Sequence, residues 1–390
     1  MREAVVLLAG GESRRMQVAA SLPRTKAALP MADGRSALET LVRSYQSCGI
    51  DTLLVVSGFH AECVEEICAR IGVAFVRNPN PSAGMFSSVM TGLLGLAVFG
   101  FEELAVFIQP VDCPLVRPLT IRALLQASET ESAGEADCFV PTFGESLSGH
   151  PVLLMPSLVL ALTREYADAL SPVGGLRALL TTRVRRAVPV PDSFILHDMD
   201  RAEDYATIRE SSAWQGALYP DEARELLRSR QVPAKGIAHG DAVGRVAQAL
   251  AQALHERGNC VTPWLAYSGG LVHDIAKGQK DHEVQGGLLL ENLALPLLAR
   301  IVRDHRDLVL PAEAECTERE LVYLADKYCY GAHFVPLATR FGQKRELFAH
   351  DKLACAAIDA RLRNALALEG RLRCEVGCEP AAIASSVLAE

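Results

Sequence analysis

Two groups of residues in this chain have the types and spacing that phosphate chemistry needs. Near the beginning, Gly10 and Gly11 follow a short apolar run, Arg14 and Arg15 add positive charge, and Lys26 comes a short loop later between Pro23 and Pro30. Paired glycines let the backbone turn and present N–H groups to an anion, and a triphosphate fits that description. A solvated surface lysine is the plainer reading of Lys26. The second group is His239, the adjacent pair His273-Asp274, and Asp326. The pair closes the apolar stretch LAYSGGLV, where burying two polar side chains without a partner is costly and a metal ion would satisfy both.

The elements that must position these residues differ between the two halves. From Glu3 to about Arg209, β-rich runs at Ala4–Leu8, Thr52–Ser57, Ala74–Arg77 and Leu104–Ile108 alternate with helical stretches at Ala37–Cys48, Ala61–Ile71 and Ser87–Leu96. This texture predicts an α/β domain with a mostly parallel, Rossmann-like sheet, in which ligands sit beyond the carboxyl ends of the strands. From Pro220 the strand signal disappears. The remainder reads as an all-α domain, with helices at Asp221–Arg228, Asp241–Glu256, Thr262–Val272, Glu283–Asn292, Pro296–His305, Thr317–Tyr328 and Leu347–Ala367. The expected division is 1–209, a linker and helix at 210–232, and 233–390.

Bulk properties narrow the function. A length of 390 residues suits two domains, each burying its own core. The most apolar window, Gly287 to Val302, is interrupted by Glu291, Asn292, Pro296 and Arg300, so it lacks the roughly 20 apolar residues of a spanning helix. A net charge of −8 and a pI of 5.8 argue against a large nucleic-acid footprint. Eleven scattered cysteines without a CxxC pair fit reduced thiols and a cytoplasmic protein. The closely spaced pairs Cys63/Cys68 and Cys374/Cys378 read as buried helix residues rather than ligands.

The run LLAGGESRRM followed by PRTKAALP resembles the signature of the molybdenum-cofactor (MobA/MocA-like) nucleotidyltransferase family. Further motifs follow in family order. NPNPSAGMFSSVMTGL resembles the segment that contacts base and ribose, IQPVDCPLV the metal-carboxylate loop, GHPVLL the substrate-side loop, and LHDMDRAEDY the closing acidic motif. The resemblance covers nearly all of residues 1–209. It implies Gly10, Gly11, Ser13, Asn78, Gly84, Ser87 and Ser88 as nucleotide-binding residues, Arg14 and Lys26 as phosphate-stabilising catalytic residues, and Asp112, Asp198 and Asp200 as magnesium ligands. The sequence departs from the family by extra residues between Met16 and Lys26, by QPVD in place of a glycine-aspartate, and by Arg201 where threonine is usual.

The second half resembles the HD-domain phosphohydrolases through His239, His273, Asp274 and Asp326 over about residues 233–345. His282 in DHEVQGG and His305 in IVRDHRDL look like the additional histidines of members that hold two metals, and Lys277 in HDIAKG matches the same subgroup. The resemblance implies one or two divalent transition ions, iron or manganese, with Asp274 and Lys277 acting on a phosphoester. The basic cluster Arg340, Lys344 and Arg345 reads as a wet helix face.

Together these readings predict a bifunctional enzyme. One domain transfers a nucleotidyl group from CTP or GTP to a phosphorylated small-molecule acceptor such as molybdopterin, releasing pyrophosphate. The other hydrolyses a phosphoester. The alternatives are a sugar- or alcohol-phosphate acceptor and a helical domain that senses a nucleotide without turnover. Neither nucleic acid nor membrane is expected as a partner, and self-association is left open.

Overall fold

The computed structural model describes residues 1–16, 22–100, 103–130, 135–144, 147–166, 174–308 and 315–389. Of the extra residues preceding Lys26, 17–21 lie outside that set. The chain divides into two compact units, Met1–Gln215 and Gly216–Glu390.

The first unit is built on an eight-stranded sheet. Strand β1 (Arg2–Ala9) pairs in parallel with β2 (Leu53–Ser57) and β4 (Leu104–Pro110), and β2 with β3 (Ala74–Arg77). The apolar run of β1 is continuous because both faces are covered: Val5 and Leu7 join one core, Ala4, Val6 and Leu8 the other. Helices α1 (Ala37–Gln46), α2 (Ala61–Ile71) and α3 (Met85–Gly95) fall close to their predicted positions. Ser36 caps α1, accepting from the Glu39 backbone N–H.

The other half of the sheet was not legible in the sequence. It comprises β5 (Cys138–Phe143), β6 (Leu147–Ser148), β7 (Val152–Leu154) and β8 (Arg185–Pro189), interleaved with helices α4 (Pro118–Ser128), α5 (Pro156–Glu165) and α6 (Gly175–Thr181). Strand β7 is antiparallel to both β4 and β5, whereas β8 is parallel to β5. The strands β6 and β7 are too short to show a period, β5 is interrupted by Pro141, and β8 is mostly exposed and carries two arginines. Helix α7 (Ala202–Ser211) follows the acidic loop.

A buried ion pair fixes that loop. Asp192, fully buried, accepts from the Arg117 guanidinium at 2.8 Å, the Arg117 backbone N–H at 2.9 Å and the Thr120 hydroxyl at 2.7 Å. The Arg117 guanidinium also lies 4.9 Å over the Phe194 ring. These contacts hold the chain leading to Asp198 and Asp200 against the loop after β4, where the Met199 N–H meets the Asp112 carbonyl at 2.9 Å. Asp192→Ala removes the carboxylate that faces the buried guanidinium and is expected to cost about 3–5 kcal/mol. Urea unfolding followed in the first unit would show it; an unchanged midpoint would mean that the pair contributes nothing.

The second unit is helical: α8 (Pro220–Ser229), α9 (Ala234–His255), α10 (Pro263–Val272), α11 (His282–Asn292), α12 (Pro296–Arg303), α13 (Glu318–Tyr328), α14 (Leu337–Leu347), α15 (Lys352–Val376) and α16 (Pro380–Ala389). A two-residue ladder, β9 (Cys329–Tyr330) with β10 (His333–Phe334), adds a small hairpin to the otherwise helical unit. Helix α9 starts seven residues earlier than the sequence suggests, because Pro233 rather than Asp241 marks its beginning. Helix α15 starts at Lys352, where Asp351 caps the Leu353 and Ala354 N–H groups. At its other end, Cys374 and the following Cys378 are exposed, contrary to their reading as buried residues.

Glycines let α9 and α10 touch backbone to backbone. A Cβ on Gly270 would lie 2.5 Å from the Gly244 Cα, and one on Gly240 would lie 2.4 Å from the Leu271 carbonyl oxygen. This approach brings His239 and His273 together at the end of the crossing. Among the described residues, no helix is long and apolar enough to cross a membrane.

Candidate functional site

In the first unit the carboxyl ends of β1 and β4 open on a cleft of about 350 Å³, lined among others by Gly10, Gly11, Ser13, Lys26, Asp112 and Asp200. Neither Gly10 nor Gly11 has a positive φ; the left-handed residue of the loop is Ser13, at φ 57°. The steric requirement falls on Gly58 of the next loop, where a Cβ would lie 2.6 Å from the Gly10 carbonyl oxygen, whereas a Cβ on Gly10 would meet Ser88 Oγ at 3.2 Å.

Lys26 is the centre of charge in this cleft. Its ammonium donates to Asp200 at 2.7 Å and to Asp112 at 3.1 Å. Burial disfavours the charged lysine, but the two carboxylates more than offset it and raise its pKa. Asp200 is lowered by the hydrogen bond from Lys26. Asp198 is raised, first by burial and then by the charges of Asp200 and Asp112.

The arginines divide differently from the sequence reading. Arg14 is exposed and pairs with Glu12 at 2.5 Å, whereas Arg15 reaches Asp200 at 2.7 Å. Both line the cleft, but Arg15 is the one tied to the acidic loop. Ser13 turns back, its Oγ accepting from the Lys26 backbone N–H at 3.4 Å.

Of the residues expected at the base and ribose, Gly84 and Ser88 line the cleft. Asn78 and Ser87 lie behind it: the Asn78 amide, 3% exposed, donates to Ser87 Oγ at 2.8 Å and Ser88 Oγ at 3.0 Å. Asp198 lines a larger neighbouring pocket of about 1070 Å³ together with Gly149, His150, Arg177 and Arg185. Burial lowers the His150 pKa, keeping the imidazole neutral over a wider range. Asp112, Asp198 and Asp200 therefore do not form a three-carboxylate cage: Asp112 and Asp200 converge on Lys26, and Asp198 faces the second pocket. Magnesium does not need such a cage, because one or two carboxylates plus substrate phosphates and water complete its coordination.

The second unit gathers its expected residues around Asp274. One Asp274 oxygen lies 3.8 Å from His239 Nε2 and 3.5 Å from His273 Nε2; the other lies 3.3 Å from His282 Nε2 and 3.7 Å from His305 Nε2. Two trios result, His239/His273/Asp274 and Asp274/His282/His305, each with its ligand atoms within 4.8 Å of one another. Asp326 Oδ1 lies 3.5 Å from His239 Nε2 and 3.9 Å from His273 Nε2. Lys277 rests on Asp274 at 2.5 Å.

The ring nitrogens are arranged as metal ligands require. His239, His273 and His305 each have Nδ1 on a backbone carbonyl, that of Gly331, Gly270 and Val302 respectively, at 2.9, 2.7 and 2.6 Å. Such bonds fix the tautomer that leaves Nε2 as the donor to a metal. His273 Nε2 is buried with no hydrogen-bond partner, and an imidazole nitrogen aimed between two carboxylates fits a divalent ion. Burial, helped by neighbouring His273, pushes the His305 pKa down to about 4, and burial also lowers His273. Both rings are therefore neutral near pH 7, the form that binds metal. Burial opposes ionisation of Asp274, yet the facing His273 ring and the hydrogen bond and charge of Lys277 bring it to about 2.

Three further side chains at this centre were not expected there from the sequence. Lys327, buried, bonds Asp326 Oδ2 at 2.7 Å and the His305 carbonyl at 3.0 Å. Arg340 lies 3.4 Å from Asp326 Oδ1 and bonds the Asp326 carbonyl at 2.6 Å, so this member of the basic cluster is not a wet helix face. Glu283 abuts His282. Glu283 and Lys327 stand beside recognisable residues and Arg340 does not, and only the packing of α11, α13 and α14 decides where each points.

The sequence matches the MobA-like NTP transferase domain over residues 5–187 and the HD domain over residues 237–331. Similar solved structures include a nucleotidyl transferase from Methanothermobacter thermautotroptrophicus, 23% identical, covering 54% of this chain and 98% of its own with a TM-score of 0.45. Another is molybdopterin-guanine dinucleotide biosynthesis protein A from Archaeoglobus fulgidus, 18% identical, covering 54% and 98% with a TM-score of 0.39. A third is a 4-diphosphocytidyl-2C-methyl-D-erythritol synthase from Anaerococcus prevotii, 13% identical, covering 54% and 97% with a TM-score of 0.39. The chain thus joins a MobA-like NTP transferase domain, whose family takes an NTP and an acceptor, to an HD domain, and both are families that bind divalent metals.

Proposed function

We propose that this chain is a bifunctional enzyme, transferring a nucleotidyl group from CTP or GTP to a phosphorylated cofactor such as molybdopterin and hydrolysing a phosphoester in its helical unit. The observation that carries the transferase reading is Lys26, whose ammonium bridges Asp112 and Asp200 at the mouth of the glycine loop. An acceptor phosphate oxygen forms the new bond to the α-phosphorus, the bond from the α-phosphorus to the bridging oxygen breaks, and pyrophosphate leaves with that electron pair. Lys26 and Arg15 stabilise the charge on the transferring and departing oxygens, the role that the sequence reading gave to Arg14. A magnesium ion held by Asp112 and Asp200 would neutralise the nucleotide phosphates. The second pocket takes the acceptor, with Arg177 and Arg185 in its lining to meet an acceptor phosphate.

The hydrolase reading rests on Asp274, whose two oxygens face different histidine pairs. Iron or manganese held there would supply Lewis acidity toward water and phosphate oxygens. Lys277, exposed beside Asp274, takes the phosphate charge. The protein is a cytoplasmic one in this reading.

The test is the full chain with magnesium, each NTP in turn, and molybdopterin or small sugar and alcohol phosphates as acceptors. Pyrophosphate release and product mass identify the pair. CTP or GTP with molybdopterin is the expected combination, and turnover confined to a polyol phosphate would overturn the acceptor assignment.

A further inference from the structure

The two trios around Asp274 are braced by different means. His239 and His273 in the first, and His305 in the second, are fixed through backbone carbonyls. His282 differs: its Nδ1 faces a carboxylate, Glu283 Oε2, at 3.4 Å. That oxygen is buried and has no hydrogen-bond partner, while the other Glu283 oxygen accepts from Arg306 at 3.3 Å. Glu283 follows His282 at the start of α11, and Arg306 follows His305 just beyond α12. This one ion pair therefore ties together the chain neighbours of both histidines of the second trio.

We propose that Glu283, braced by Arg306, is a positioning residue for the second metal position. With a metal on Nε2 it would accept the His282 Nδ1–H, keeping Nε2 aimed at Asp274, and it holds α11 against the end of α12 so that His282 and His305 present their Nε2 atoms together. The inference rests on the metal-site reading above. Its consequence is that the two positions are unequal. The first is built on backbone, and the second depends on a side-chain pair that can be removed without touching a ligand. Helices α11 and α12 share another, more exposed ion pair, Glu291 with Arg303 at 2.9 Å, which provides a control for helix packing away from the histidine ligands.

The experiment uses the full chain, stripped of metal and titrated with manganese(II). Bound ions are counted, and the magnetic coupling of adjacent ions is read by electron paramagnetic resonance. The wild type is expected to take up two ions and show coupling. Glu283→Ala is expected to keep the first ion, bind the second at least about tenfold more weakly, and lose the coupling. Glu283→Gln, which keeps an acceptor oxygen, falls between the two, and Glu291→Gln matches the wild type. A Glu283→Ala protein that binds both ions normally overturns the proposal. So does an equal effect of Glu291→Gln, which would reduce the pair to ordinary helix packing, or loss of both ions from both Glu283 variants. A wild type that takes one coupled-free ion overturns it as well, whereas one that takes none overturns the metal reading itself.

Discussion

Asp112→Ala is expected to lower nucleotidyl transfer by roughly 10³-fold, with the loss in kcat rather than in NTP binding. Asp112 stands at the end of β4, opposite the glycine loop, and shares the Lys26 ammonium with Asp200. Without it, Lys26 is held by Asp200 alone, and the cleft loses a carboxylate that would hold magnesium. In the proposed reading the glycine loop, Arg15 and Ser88, which line the same cleft, still hold the nucleotide, so affinity should change far less than rate. Pyrophosphate release at saturating NTP measures the effect. Asp112→Ala should leave phosphoester hydrolysis and metal content in the helical unit as they were, since the two units fold around separate cores. A variant that keeps wild-type kcat would remove Asp112 from the site.

The second large effect belongs to His273. Its side chain is 1% exposed, its Nδ1 is tied to Gly270, and its Nε2 has no partner other than the position between Asp274 and Asp326. His273→Ala takes one nitrogen donor from the first trio and is expected to abolish hydrolysis of a generic phosphodiester, a fall of at least about 10²-fold. Metal analysis should show the first ion lost. Because the substitution also leaves a cavity, His273→Gln, which refills most of it with a side chain that is a poor ligand, separates the two causes: hydrolysis should stay absent while the unfolding midpoint recovers. Full activity in either variant would refute the ligand assignment. A wild-type domain that holds metal yet hydrolyses nothing would favour the sensor alternative.

Much of the site's composition could be read along the chain because its residues come in short unbroken motifs. The glycine loop, the aspartate closing β4 and the His-Asp pair each sit next to a strong local signal, an apolar strand or a small-residue helix. The partners that set their properties had no such signal. Glu283, Lys327 and Arg340 are charged residues on helices, and charge on a helix normally means solvent. Likewise, Arg14 and Arg15 are adjacent and chemically equal. The backbone turn at Ser13 is what sends Arg15 to Asp200 and leaves Arg14 on Glu12.

By itself the sequence determined the two fold classes, the strands β1 to β4 and their helices, and the types of residue available for phosphate and metal chemistry, because hydrophobic periodicity and local motifs act over a few residues. Tertiary structure alone decided the antiparallel half of the sheet, the placement of Asn78 and Ser87 behind the cleft, the separation of Asp198 from Asp112 and Asp200, and the sharing of Asp274 between two histidine pairs. These arrangements depend on elements distant along the chain, and the contacts that hold them, such as the buried Arg117–Asp192 pair and the glycine crossing of α9 and α10, exist only once the chain has packed.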